Sequence, residues 1–235
     1  MTQPKKKNPF IELIITIVLP SIILMKLSGA DKLGTAGALV LALAFPLTWG
    51  LIDLVRQRKI NYFAVLGLIS VLLTGGIGLL KLDAQWLAVK EAAIPGIIGL
   101  VVLISVWTNR PLIRLLVYNP TVVNVERIQH ALALKQSEPA FESSLRRATM
   151  LLAGTFFFSS FMNYVLAKWV VQSPSGTEAF NEELGRMTLL SYPVIAIPSM
   201  IMMIAVFFYL INSARKLTGL DLSEMLHQGP EDQKN

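Results

Sequence analysis

"LDAQWLAVKEAAIPGIIGLVVLISVWTNR", residues 82–110, is an apolar stretch with a tryptophan near each end. At about 1.5 Å of helical rise per residue, Trp86 and Trp107 are spaced to fit the two faces of a bilayer, where indole rings concentrate. A soluble helix has no use for that pattern. Two features disturb it: Lys90 and Glu91 lie one turn inside the first tryptophan, and Pro95 follows. The stretch therefore predicts a transmembrane helix and poses the main functional question, what two charges do near its mouth.

The rest of the chain agrees with a membrane reading. Of 235 residues, 54% are hydrophobic and only 15% charged, against about a quarter charged in an ordinary soluble domain. A bilayer core takes roughly 17–25 apolar residues per helix. Six stretches qualify, at 10–27, 35–55, 61–80, 86–107, 148–171 and 188–211. After Lys5-Lys6-Lys7 the apolar run is long and no small-x-small cleavage site ends it, so the first stretch is expected to stay as an anchor. The fold class predicted is all-α: a polytopic integral membrane protein with six transmembrane helices, forming a single membrane domain over 1–235.

Lys and Arg set its orientation. With the N-terminus cytoplasmic, the inside segments hold Lys5, Lys6, Lys7; Arg56, Arg58, Lys59; Arg110, Arg114, Arg127, Lys135, Arg146, Arg147; and Arg215, Lys216, Lys234. The outside segments hold Lys26, Lys32, Lys81, Lys90, Lys168 and Arg186. Fifteen against six is a positive-inside bias and predicts both termini inside (N-in/C-in). The net charge of +6 is thus topological and gives no reason to expect nucleic acid. Expected partners are membrane lipids and other inner-membrane proteins, and the expected location is a bacterial inner membrane.

The one long connection, 108–147, falls on the cytoplasmic side. "NRPLIRLLVYNP", residues 109–120, interleaves arginines with apolar residues, as a short helix at the headgroups would. Asn119-Pro120 reads as a helix start, and the helix near 121–136 brings Val125, Ile128 and Leu132 onto one face. Ser137-Glu138-Pro139 is a second stop-and-start signal, after which a helix should run through Arg146-Arg147 into the fifth span. Arg110, Arg114, Arg146 and Arg147 are candidate lipid-headgroup contacts. Gly219 reads as a helix stop, Asp221 and Glu224 as a capping box, and the tail 229–235 as disordered.

Signals of catalysis are missing. With no cysteine, disulfides, thiolate chemistry and Cys-based metal sites are excluded together. His130 and His227 lie in different polar segments. No phosphate loop, dinucleotide fingerprint, zinc-protease pair or nucleophile elbow occurs. No catalytic residue, cofactor or metal is expected. Gly75, Gly76 and Gly78 lie inside an apolar span, where small residues let helix backbones approach.

Pro20, Pro46, Pro95, Pro193 and Pro198 fall within spans, and each removes the N–H that would serve the carbonyl four residues earlier. Thr16, Ala42, Glu91, Leu189 and Val194 are the residues affected. Ordinary kinks satisfied by neighbouring helices are one reading. A polar cavity lined by broken helices, as in transporters, is the other. In span five Ser159, Ser160, Asn163 and Tyr164 form a polar stripe, expected to bond a neighbouring helix or their own backbone, with a substrate contact as the lesser alternative.

Lys90 and Glu91 admit the same two readings. Lys90 lies about 6 Å below Trp86, near enough to snorkel to the interface. Glu91 points about a hundred degrees away around the helix, so the two are not expected to pair with each other. Alternatively they line a cavity or join an ion pair with groups of similar depth, for which Lys26, Asp31 and Asp83 are the candidates.

In order along the chain, the proline-containing first span ending "ILMKL", the "RQRK" run at Arg56–Lys59, Gly75-Gly76, and the group Asp83, Trp86, Lys90 resemble bacterial intracellular septation protein A. The likeness covers Phe10 to about Leu115. It implies a non-enzymatic role in the cell envelope or septation, and no catalytic residues. Over its full length the chain looks more like an uncharacterised six-span bacterial inner-membrane family that is sometimes labelled a transporter. The alternative function is a small-molecule or ion transporter or channel that uses Lys90, Glu91 and the proline-broken spans, with a site near the periplasmic end of span four.

Overall fold

The computed structural model describes residues 9–57, 62–108, 111–114 and 123–225, with backbone only at 9, 53–57 and 62–64. Among them every regular element is a helix. α1 (Pro9–Leu13) passes through a π-turn (Ile14–Val18) into α2 (Leu19–Leu27). α3 (Gly34–Gln57), α4 (Tyr62–Leu79) and α5 (Gln85–Ser105) follow, then α6 (Val125–Leu134) and α7 (Glu138–Val170). α8 (Glu178–Ser191) runs through a second π-turn (Tyr192–Ala196) into α9 (Ile197–Thr218), and α10 (Leu222–Met225) closes the series.

Five of these helices are long and apolar enough to cross a membrane: Phe10–Leu27, Gly34–Ile52, Gln85–Ser105, Glu138–Val170 and Glu178–Thr218. The third expected span appears as a shorter apolar helix, Val65–Leu79. Their outer faces carry large apolar side chains, with Phe161 65%, Phe208 66% and Ile201 59% exposed. So much exposed aromatic and aliphatic surface fits contact with lipid rather than water.

Residues form two compact units. The first comprises Met1–Ile94 and Ser160–Ala196. In it α2 packs on α3 and α8, and α3 packs on α4. Its core gathers Ile23, Leu24, Leu39, Leu87, Phe180 and Leu184. The glycines of α4 act as expected from their size: a Cβ at Gly75 would lie 2.9 Å from Leu43, and one at Gly78 would collide with Leu39. Gly76 faces open space.

The second unit comprises Pro95–Ser159 and Ile197–Asn235. Ile113, Ile128, Leu132, Phe141, Leu145 and Leu210 are buried in its core. The expected helix start at Ser137 holds, and α7 runs uninterrupted through Arg146-Arg147 for 33 residues. α6 starts later than the sequence reading placed it. Its cap is Asn124, whose side chain accepts from the Arg127 amide at 3.0 Å. Residues 115–122, which include the rest of the expected headgroup helix and Asn119-Pro120, lie outside the described residues, as do Arg110 and the tail 229–235.

Gly219 turns the chain at φ +72, and Glu224 Oε2 accepts from the Asp221 amide at 2.9 Å. That is half of a capping box. The Asp221 carboxylate instead accepts from Arg215 at 3.0 Å.

The polar segment before the sixth span is helical where a connection was expected. Thr177 caps α8 by accepting from Phe180 N at 3.1 Å. Phe180, Leu184 and Met187 then recur at one-turn spacing and are buried, with Asn181 and Gly185 on the same face. Glu183 anchors the preceding turn by accepting from the amides of Gln172 and Ser173 at 3.0 and 2.8 Å. Asn181 Nδ2 donates to Ser28 Oγ at 2.9 Å and to the Thr35 carbonyl at 2.8 Å. It ties α8 to both sides of the α2–α3 turn.

Candidate functional site

Lys90 stands in the second turn of α5, its side chain only 7% exposed. An ammonium has three protons to place, and Lys90 places all of them. Nζ donates to Thr74 Oγ1 at 2.8 Å and to Ser70 Oγ at 3.1 Å, one turn apart on α4. The third partner is Glu91 Oε1 at 2.6 Å.

This corrects the expectation that Lys90 and Glu91 cannot pair. The hundred-degree separation holds for their Cα–Cβ directions. A four-carbon and a two-carbon stem swing far enough for the charged ends to meet. The Glu91 side chain is 25% exposed.

The other expected partners are elsewhere. Lys26, Asp31 and Asp83 are exposed. Asp83 Oδ1 accepts from the Gln85 amide at 2.8 Å, capping the start of α5. Seven residues separate it from Lys90, about 10 Å along a helix, so proximity in sequence overstated proximity in depth.

Beside the pair lies a cavity of about 200 Å³, within the first unit. Its wall includes Pro20 and Pro46, together with Thr16 and Ala42, the residues whose carbonyls those prolines cannot serve. Glu91, which stands in the same relation to Pro95, is there too. Three of the five proline-affected positions thus meet around one space. Of the other two, the break at Pro193 has a local remedy, because Tyr192 N–H takes the Leu189 carbonyl. Beside Pro95, Ser160 Oγ from α7 donates to the Ala92 carbonyl at 2.7 Å. The stripe in span five does bond a neighbouring helix, at Ser160.

The chain matches no known family, no characterised protein and no solved structure.

Four polar wall residues, Ser21, Ser70, Thr74 and Thr188, carry no weight in the sequence reading. Ser21 Oγ is fully enclosed and has no hydrogen-bond partner. Thr188 comes from α8, in the segment expected to begin the sixth span. The apolar part of the wall is Leu24, Leu43, Val71 and Leu184. A charged pair, several hydroxyls and a small apolar lining make a space suited to a small ligand with one polar end.

Of the candidate headgroup arginines, Arg114 pairs with Glu142 at 3.0 Å. Arg146 and Arg147 are exposed on α7.

Proposed function

We propose that the protein is a six-span carrier for a small molecule or ion in a bacterial inner membrane, non-enzymatic, with both termini cytoplasmic. The observation that supports this reading is the cavity: a buried Lys90–Glu91 pair and the proline-interrupted helices α2 and α3 share one wall. Intramembrane ionisable groups are costly and concentrate on substrate paths. Broken helices supply the carbonyls and helix ends that hold substrates in carriers.

The absence of native cysteine gives a direct test. A carrier cavity must be reached from water. Thr188→Cys, on the cavity wall, should therefore react in intact cells with a small impermeant thiol reagent. Ile69→Cys, on an exposed apolar face of α4, should not. In the same series Asp31→Cys should react from outside and Arg146→Cys only after the membrane is opened. An unreactive Thr188→Cys would sink the carrier reading, and reversed labelling at Asp31 and Arg146 would sink the orientation.

A second reading, the envelope or septation role implied by the resemblance, is favoured by what its motif residues do. Gly75 closes on Leu43, Asp83 caps α5, and Lys90 holds α4 to α5. Those jobs suit a scaffold that transports nothing and acts through other inner-membrane proteins.

In either role the exposed Arg146 and Arg147 are suited to anionic headgroups, each attraction worth about 1 kcal/mol. Arg146→Gln/Arg147→Gln protein should retain less anionic lipid through purification, measured by mass spectrometry of the extracted lipids. Equal retention would remove the two arginines from that role.

A further inference from the structure

Most hydrogen-bond donors of the cavity wall are spent on the protein itself. Thr16 Oγ1 donates to the Glu12 carbonyl at 2.7 Å, Thr74 Oγ1 to Ser70 O at 3.0 Å, and Thr188 Oγ1 to Leu184 O at 2.9 Å. All three protons of Lys90 are taken by Ser70, Thr74 and Glu91. What the wall offers is chiefly acceptors: the hydroxyl oxygens and the Glu91 carboxylate, beside Thr16 and Ala42, whose carbonyls Pro20 and Pro46 cannot serve. Ser21 Oγ, 1% exposed and without a partner among the described residues, adds a hydroxyl that can accept from a ligand or donate to one. A ligand suited to this wall brings its own hydrogens. A carboxylate would have to evict Glu91 to reach the Lys90 ammonium.

We propose that the cavity binds a small primary ammonium ion with a short apolar body, which competes with the Lys90 ammonium for Glu91, Ser70 and Thr74. This rests on the carrier reading and names its substrate class. The lining fits the ligand at both ends, with Leu24, Leu43 and Val71 available to a chain of a few carbons. A volume of about 200 Å³ lies below the roughly 300–1,000 Å³ of drug-sized pockets, so the body must be short. Among the described residues Lys90 and Glu91 are the titratable side chains on the wall. Lys90 is thus a tethered version of the ligand: an ammonium on a four-carbon stem, already seated on the acceptors.

The test uses the full chain in detergent and three matched probes, n-propylammonium, propionate and n-propanol, with binding read by titration calorimetry and by the shift in melting temperature. Propylammonium should bind saturably and the other two should not. Glu91→Gln should abolish binding. Lys90→Ala should tighten it about tenfold or more, because a like charge at the site is removed. Propylammonium should also restore the melting temperature that Lys90→Ala lowers. If Lys90→Ala does not fold, Ser21→Ala serves in its place: it breaks no hydrogen bond of the protein, and should weaken propylammonium binding several-fold with unfolding unchanged.

Saturable propionate binding in place of propylammonium would overturn the ammonium class and leave the carrier reading standing. So would the failure of every probe while Thr188→Cys is still labelled from water. Failure of every probe with Thr188→Cys unreactive would end both. Propylammonium binding that is indifferent to Glu91→Gln, Lys90→Ala and Ser21→Ala would place the ligand elsewhere and overturn the proposal.

Discussion

Lys90→Gln is expected to destabilise the protein by about 3 kcal/mol, toward the lower end of the cost of breaking a buried ion pair. The substitution removes the cation that pairs with Glu91 and the ammonium from which Ser70 and Thr74 accept. A carboxylate left without its partner in an apolar surround loses far more than the bond it made. The lower end applies because the Glu91 side chain retains 25% exposure against 7% for Lys90. Glu91→Gln should cost less, since Lys90 keeps both hydroxyls and gains the amide oxygen as a neutral acceptor. The decisive comparison is the double variant Lys90→Gln/Glu91→Gln, which buries no charge at this point. It should be more stable than Lys90→Gln alone, with a coupling of about 0.5–3 kcal/mol between the two sites. Reversible unfolding in detergent measures all four proteins. Strictly additive losses would mean that the two side chains do not stabilise each other as a pair.

The helices were legible because their signal is long and repetitive. A run such as 86–107 carries apolar residues on all sides, and its end tryptophans bound it without reference to any neighbour. The start of α7 at Glu138 was legible for a local reason, the stop-and-start residues ahead of it. α8 was not, although its signal was present. Glu178, Glu182, Glu183 and Arg186 give the segment the composition of a loop. The Thr177 cap and the spacing of Phe180, Leu184 and Met187 mark a helix with one buried face. Composition hid the period.

At the site, the sequence singled out Lys90 and Glu91 but misjudged their partners. Side-chain reach rather than backbone direction decides that Lys90 meets Glu91, and the hydroxyls of Ser70 and Thr74 supply its other partners. Ser70 and Thr74 stand four apart in an otherwise apolar helix. That hydroxyl stripe is a readable sign of something polar arriving from a neighbour. The convergence of Pro20, Pro46 and Glu91 on one cavity needed coordinates, because it depends on which faces α2, α3 and α5 turn toward each other.

A close helix contact in that region, at Gly185, yields the second large effect. Gly185→Ala is expected to destabilise the protein by about 1–3 kcal/mol, the usual range for forcing atoms into a filled interior. A Cβ at Gly185 would lie 2.8 Å from Met25 Cγ, 2.8 Å from the Ser21 carbonyl oxygen and 3.4 Å from Leu24 Cβ. The methionine can swing aside. The carbonyl oxygen belongs to the backbone of α2 and moves only if the helix does, so α2 and α8 must separate along their contact. Ser21, Leu24 and Leu184 all line the cavity, and the same displacement should loosen propylammonium binding as well as stability. Gly76→Ala provides the control, because nothing lies within 4 Å of its would-be Cβ. In the interior of α4 that change should be neutral or stabilise by up to about 1 kcal/mol through helix propensity. Melting temperatures of the two variants, measured side by side in detergent, decide the matter. Equal behaviour would mean that α2 and α8 do not meet as closely as Gly185 allows.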